Sequence, residues 1–327
     1  MQVFVEKLTS KWLALLLAAV LFSTAAGCSD GVVQSTQQQA VRVGVLRIDD
    51  SIPLYIADRD GLFEQCGVDV ELVEFGSASD QMKAAEAGEI DLLMTDLVVP
   101  CLLKKGGADF KAVTMALGAD QSEGRFLIVS APDSGILEPE DLYGATIAIS
   151  ENTMMDYLVE QYEAYFDLDS SEIGKQHIPS LSLRLDALLS GQVQAAILPD
   201  PLAAYSVSKG ANVVIDDTQL AVNLSQSVFA VSTRLTEEKP ELVEKLVKAI
   251  GLAMEAINNA PEQYREYCLE VANVPAEIAG NYQVSSYTPN TVPGWEDVRS
   301  VTDWMVSRGL LSEAYSYEQL VDDSFIN

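Results

Sequence analysis

Two stretches of this chain repeat one design. Ala84-Ala-Glu-Ala-Gly-Glu-Ile-Asp-Leu-Leu-Met-Thr-Asp96 and Ala187-Leu-Leu-Ser-Gly-Gln-Val-Gln-Ala-Ala-Ile-Leu-Pro-Asp200 each read as a helix end, a Gly stop, a short apolar strand and a terminal aspartate. Strands this apolar and this short must be covered by helices on both faces, so the chain is restricted to a mostly parallel α/β sheet, built twice. The flanking patterns agree. In the first half, strands are predicted over 41–46, 68–73, 90–94 and 110–117, with helices over 54–59, from Ser77 or Ser79 to Gly88, and over 97–104. The second half restarts with a strand at 145–149 and continues with helices at 153–166 and 181–189 and a strand at 195–198. A further strand at 227–232 is followed by helices at 240–259, 261–271 and 297–308. This helical tail is too long for a linker and is expected to return over the first lobe. The predicted division is therefore lobe 1 from 41–128 and 229–327, lobe 2 from 129–228, with two chain crossings near 126–130 and 228–232 acting as a hinge.

The N-terminus carries a targeting pattern. Lys7 and Lys11 precede an apolar run from Trp12 to Phe22. Eleven helical residues rise about 16 Å, short of the roughly 30 Å hydrocarbon core, so the run reads as a signal-peptide core. Small residues Ser23, Thr24, Ala25, Ala26 and Gly27 lead to Cys28 and resemble a bacterial lipobox, although Ala25 stands where a leucine is usual. On this reading residues 1–27 are removed and Cys28 is acylated. The polar segment 28–40, with Gln34-Ser-Thr-Gln-Gln-Gln39, is then a flexible tether. The body is expected at the extracytoplasmic face of a membrane, held by lipid.

Charge excludes whole function classes. Acidic residues outnumber basic ones 49 to 20, for a net charge of −29, and such a polyanion repels nucleic-acid backbones. The one histidine, His177, leaves no material for a histidine metal site or a His-paired nucleophile. There is no Gly-x-Ser-x-Gly elbow, no phosphate loop and no EF-hand spacing, so no cofactor and no metal are expected. Cys66, Cys101 and Cys268 cannot all pair internally; Cys101 reads as a buried thiol, and whether any two pair stays open.

Several motifs then point to a family. Ile56-Ala-Asp-Arg-Asp-Gly-Leu-Phe-Glu-Gln-Cys-Gly-Val-Asp-Val-Glu71 resembles the opening of extracytoplasmic solute-binding proteins of ABC transporters. More narrowly it is similar to the group serving thiamine-pyrimidine precursors, alkanesulfonates and taurine. Gly88–Asp91, Asp141-Leu-Tyr-Gly-Ala-Thr-Ile-Ala148, and Pro199-Asp-Pro201 with Gly210 behind it fit the same group, covering most of 41–232. The resemblance implies a type II periplasmic-binding-protein fold, a monomer whose two α/β lobes close on a small-molecule ligand. It also implies an ABC permease and ATPase as partners.

In open α/β sheets ligands sit beyond the carboxyl ends of the strands. The candidates there are Asp49, Asp50 and Tyr55 after the first strand, Ser77 and Ser79 after the second, and Thr95 and Asp96 after the third. In the second lobe they are Glu151, Asn152, Thr153, Asp200 and Tyr205. Helix starts at Ser77–Ser79 and Asn152–Thr153 offer N–H groups to an anionic or carbonyl oxygen, although each Ser or Thr equally suits a plain N-cap. The carboxylates, Asp156 included, favour a donor-rich solute such as an amine or a nitrogen heterocycle, with Tyr55, Tyr157 and Tyr205 available to stack. Equally, an acidic chain places carboxylates on every loop. The competing functions are a small-metabolite enzyme on this fold, like its menaquinone-pathway relatives, a sulfonate- or nitrate-type anion binder, and a solute sensor.

Overall fold

The computed structural model describes residues 40–326. The signal peptide expected over 1–27, the acylation site Cys28 and nearly all of the tether expected over 28–40 lie outside the described residues.

The two-fold design of the sequence is realised as two five-stranded sheets of matching order. The first contains β1 (Val41–Val45), β2 (Val70–Glu74), β3 (Leu92–Thr95), β4 (Phe110–Leu117) and β10 (Ser227–Ser232), ordered β2-β1-β3-β10-β4. The second contains β5 (Phe126–Ser130), β6 (Thr146–Ile149), β7 (Gly174–His177), β8 (Ala195–Pro199) and β9 (Asn212–Asp216), ordered β7-β6-β8-β5-β9. In each sheet four strands run one way, and the fifth, β10 or β5, runs against its two neighbours. These reversed strands are the ones that arrive from the other lobe. β7 and β9, edge strands of the second sheet, escape a reading based on apolar periodicity. β7 is Gly-Lys-Gln-His, almost entirely exposed, so no buried face marks it.

Helices of seven or more residues are α1 (Ile52–Arg59), α2 (Ala78–Glu86), α3 (Val98–Gly106), α4 (Met154–Tyr165), α5 (Leu181–Leu189), α6 (Leu202–Ser208), α7 (Pro240–Asn259), α8 (Pro261–Val271) and α9 (Trp295–Ser307). The repeated motif corresponds to α2-β3 and α5-β8. Both helices end on a glycine in the left-handed region, Gly88 (φ +70) and Gly191 (φ +72), as the Gly stops predict. Both terminal aspartates turn back to hydrogen-bond the helix that follows. Asp96 Oδ1 accepts from the N–H groups of Val98 at 2.7 Å and Val99 at 3.1 Å, and Asp200 Oδ1 accepts from Ala204 at 2.9 Å.

The tail packs where its apolar stripe directs it. Leu242, Leu246, Ile250, Met254 and Ile257 of α7 join one buried cluster with Leu54 and Ile56 of α1 and with β1. Each such side chain contributes roughly 1.5–3 kcal/mol on burial. α9 does more than cover the first sheet. It lies against α3, and it also reaches α4 beneath the second sheet. The Trp304 ring meets Tyr157 edge-on at 5.4 Å and 75°, its Nε1–H donates to Glu160 at 2.7 Å, and the Ser300 and Tyr157 hydroxyls are 2.8 Å apart.

The chain passes between sheets over 118–125 and returns over 217–226, just ahead of β5 and β10 rather than within them, because both strands are full members of their ladders. The crossings touch. Gly118 has φ +85, Asn223 Nδ2 donates to its carbonyl at 2.8 Å, and an added Cβ would collide with the Ser225 carbonyl oxygen. Glycine is required there for both reasons. Among the described residues, Cys66, Cys101 and Cys268 are free thiols.

Candidate functional site

The carboxyl ends of β1, β3 and β6 and the segment after β7 enclose a pocket between the lobes, with about 540 Å³ of space counting its open mouth. Ile48, Asp50, Thr95, Asp96 and Ser227 line it from the first lobe. Phe126, Ser150, Thr153, Met155 and Arg184 line it from the second. Most of the remaining surface is apolar, so each polar group matters.

Among the described residues, three pocket-lining side chains each bury a polar atom without a hydrogen-bond partner: Thr95 Oγ1, Ser150 Oγ and Arg184 Nη2. A buried orphan of this kind costs about 1–3 kcal/mol, so three on side chains that line one pocket mark it as the place where a partner would matter most. Arg184 is the most informative. It is fully buried on α5, where Nε donates to the Ile178 carbonyl at 3.0 Å and Nη1 to the Ile197 carbonyl at 3.0 Å, with Met155 Sδ also touching Nη1. It forms no ion pair among the described residues, and burial alone pulls its guanidinium down to about 9. Sequence reasoning missed it, though a signal was present. Leu181, Arg184, Leu185 and Leu188 fall at i, i+3, i+4 and i+7, which places a cation on the apolar stripe of α5.

The carboxylates separate by environment. Asp96 is committed structurally: besides capping α3, its Oδ2 accepts from the Met154 N–H across the cleft at 3.1 Å. Burial still pushes its carboxyl above the usual range, against those three N–H bonds. Asp50 is also raised by burial, opposed by the Ser227 hydroxyl, and no backbone N–H beyond its own residue holds its side chain. Asp49 faces a second, polar cavity with Arg125, Asp200 and Ser285. Its Oδ2 accepts from Tyr282 at 2.8 Å and Ser285 at 2.9 Å, and burial followed by the charge of Asp200 pushes it up to about 7. Asp200 borders that same cavity, raised by burial with Arg125 at 3.8 Å opposing.

Of the candidate residues, Asp50, Thr95, Asp96 and Thr153 therefore meet at the main pocket. Ser79, Glu151 and Asn152 line a separate outer groove beside His177, whose Nδ1 accepts from the Glu151 N–H at 3.0 Å. Ser77 is a buried N-cap of α2, its Oγ accepting from the Asp80 N–H at 3.1 Å. The tyrosines do not stack over the pocket. Tyr55 is buried in the first lobe with its hydroxyl on Glu74 at 2.9 Å, and Tyr205 lies under Lys209 at 4.9 Å against the second lobe's core. Nor does α4 present free N–H groups to a ligand. Met154 N–H goes to Asp96, and Met155 N–H goes to Thr153 Oγ1 at 3.3 Å. Of the expected rim of carboxylates, Asp50 and Asp96 line the main pocket, Asp49 and Asp200 line the polar second cavity, with Asp49 Oδ1 left without a partner among the described residues, and Glu151 lines the outer groove.

Two α/β lobes of like topology, crossed twice by the chain and enclosing a pocket at their strand ends, define the class of two-lobed periplasmic binding proteins. The chain belongs to the NMT1-like family, whose sequence profile matches residues 34–272. It is 23% identical over 326 residues to a Brachyspira hyodysenteriae protein described as an ABC transporter periplasmic binding protein, covering 92% of each chain. It is 23% identical over 254 residues to an Escherichia coli protein described as an aliphatic sulfonates-binding protein, covering 77% of each. Among solved structures it resembles the alkanesulfonate-binding protein SsuA from Xanthomonas axonopodis pv. citri bound to MOPS. That likeness has a TM-score of 0.73 at 19% identity, over 86% of this chain and 98% of that one.

Proposed function

We propose that this chain is the lipid-anchored, extracytoplasmic solute-binding protein of an ABC importer. It captures a small organic solute between its lobes and, as a closed monomer, delivers it to a membrane permease driven by a cytoplasmic ATPase. The observation that carries this reading is the convergence of Thr95, Ser150 and Arg184, from both lobes, as orphaned polar groups on one pocket. A solute that satisfies groups on both walls binds the closed arrangement better than the open one, and that difference drives closure. The Asp96–Met154 N–H bond forms with the same movement and adds to it.

The test begins with native mass spectrometry of freshly purified protein to find a co-purifying small molecule. Small-angle scattering of stripped and reloaded protein then follows. Saturating solute is expected to reduce the radius of gyration, and an unmoved radius with a bound solute would exclude cleft capture. Anchoring is tested separately. Cys28→Ala is expected to move the protein from the membrane fraction to the soluble extracytoplasmic fraction; a processed variant that survives a carbonate wash on membranes contradicts acylation at Cys28.

A further inference from the structure

The polar second cavity has about 730 Å³ of space counting its open mouth, and its walls belong to different lobes. Asp49, Asp50 and Ser285 come from the first lobe; Arg125, Pro199 and Asp200 come from the second lobe and the crossing that leads into it. Two carboxyl groups, Asp49 and Asp200, thus line one cavity from opposite lobes, and they are not equally provided for. Asp200 has Arg125 Nη1 at 3.8 Å and the Ala204 N–H at 2.9 Å. Asp49 forms no ion pair among the described residues. Its Oδ2 takes the Tyr282 and Ser285 hydroxyls, whereas Oδ1, on a residue only 3% exposed, has no partner among those residues. The other titratable groups packed around Asp49 bring no positive charge. They are Asp50 beside it, Tyr282 and Tyr287, whose hydroxyls hold Oδ2 and the Asp49 carbonyl, and the Cys268 thiol of α8, pushed up to about 12 by burial and then by the Asp49 charge. Arg125, the cation that lines the cavity, turns to Asp216 at 2.6 Å.

Resting on the cleft reading above, we infer that Asp49 Oδ1 is a proton-binding site that couples closure of the lobes to pH, taking up one proton as the lobes close over a solute and releasing it as they part. The oxygen that takes the proton is the one neither hydroxyl reaches, so the Tyr282 and Ser285 bonds stay in place. Closure brings the Asp200 charge to the opposite wall and excludes water; a neutral carboxylic acid tolerates both, and a carboxylate neither. Parting the walls carries Asp200 away with the second lobe and lets water into the cavity. The proton settles on Asp49 rather than Asp200, because Arg125 and the Ala204 N–H hold the Asp200 charge and no cation or N–H holds that of Asp49. With both walls together the Asp49 carboxyl stands at about 7, raised by burial first and by Asp200 next. The closed lobes therefore bind the proton more tightly than the open ones, and acid favours closure. That advantage is complete below the open form's value, fades as pH climbs to about 7, and is absent above it. Each unit by which closure raises the carboxyl is worth about tenfold in the closed-to-open ratio.

Protons alone are the first probe. The radius of gyration of stripped, unliganded protein, followed by small-angle scattering, is expected to be smaller at pH 5.5 than at pH 8.5. Calorimetry then uses the solute that native mass spectrometry finds co-purifying. That solute is expected to bind about tenfold more tightly at pH 5.5 than at pH 8, and buffers of different ionisation enthalpy should show net proton uptake at pH 6.5. Asp49→Asn copies the protonated state, so its radius and its affinity should lose the pH dependence. Asp200→Asn removes the facing charge and should shrink the shift, which keeps the test decisive if the Asp49 variant folds poorly. A wild-type radius and affinity that both ignore pH overturn the proposal. So does an Asp49→Asn variant that keeps the wild-type shift, because the pH dependence then belongs to the rest of this acidic chain. If the solute compacts the protein equally well at both pH values, proton coupling fails and cleft capture stands. If the solute binds without moving the radius at either pH, cleft capture fails and proton-coupled closure with it.

Discussion

Asp49 shows how a side chain at a strand end takes on a structural task as well as facing a cavity. It does stand at the carboxyl end of β1, but Tyr282 and Ser285 occupy one of its oxygens, so it anchors the tail segment to the first lobe. Its carboxyl is raised to about 7, so the folded protein holds a proton that the unfolded chain releases near the ordinary aspartate value of 3.8. Stability linked to this group is therefore present below the unfolded value and falls as pH climbs toward 7, above which it is flat. Urea unfolding at pH 5 and pH 8 is expected to show greater stability at the lower pH. Asp49→Asn should remove about 1–4 kcal/mol of that difference. An unchanged pH dependence in the variant means that Asp49 titrates normally. Asp200, a second carboxylate read as ligand-binding, caps α6, so Asp200→Ala should cost about 0.5–2 kcal/mol in unfolding free energy.

At the scale of elements, the crossings and α9 decide how the lobes are joined. Gly118 sits where 118–125 meets 217–226, in a left-handed conformation and against backbone that cannot step aside. Gly118→Ala is expected to destabilise the fold by about 2 kcal/mol or more. Gly191→Ala is the comparison, since Gly191 has a similar φ of +72 but open space around it, and it should cost about 1 kcal/mol. Equal losses at the two sites would mean that contact between the crossings contributes nothing. α9 adds a third connection. Trp304 and Ser300 hold α4 through Glu160 and Tyr157, so Trp304→Leu should loosen the packing of the tail against the second lobe. The expected readout is a larger radius of gyration for the unliganded variant, with solute affinity reduced by the matching population factor. No change in either would confine Trp304 to packing.

For the whole molecule, the sequence alone determined the α/β class, the two-fold repeat and the positions of most strands and helices. These are local properties. Apolar periodicity, Gly stops and an aspartate at the strand end are written within a dozen residues, and the repeat shows that both lobes use them alike. Polar edge strands such as β7 were not legible, because an exposed edge carries no apolar alternation. The partition of the carboxylates was decided by the tertiary structure. Asp50 and Asp96 both stand at strand ends, yet Asp96 alone receives the N–H groups of α3 and α4. Whether a charge is satisfied depends on donors that arrive from distant segments, and no local pattern records them. Arg184 makes the same point from the other side. Its spacing on α5 announces a buried cation, but that cation, without an ion pair among the described residues, shares a pocket wall with Asp50 only because two lobes, joined by two crossings and a returning tail, bring opposite walls together.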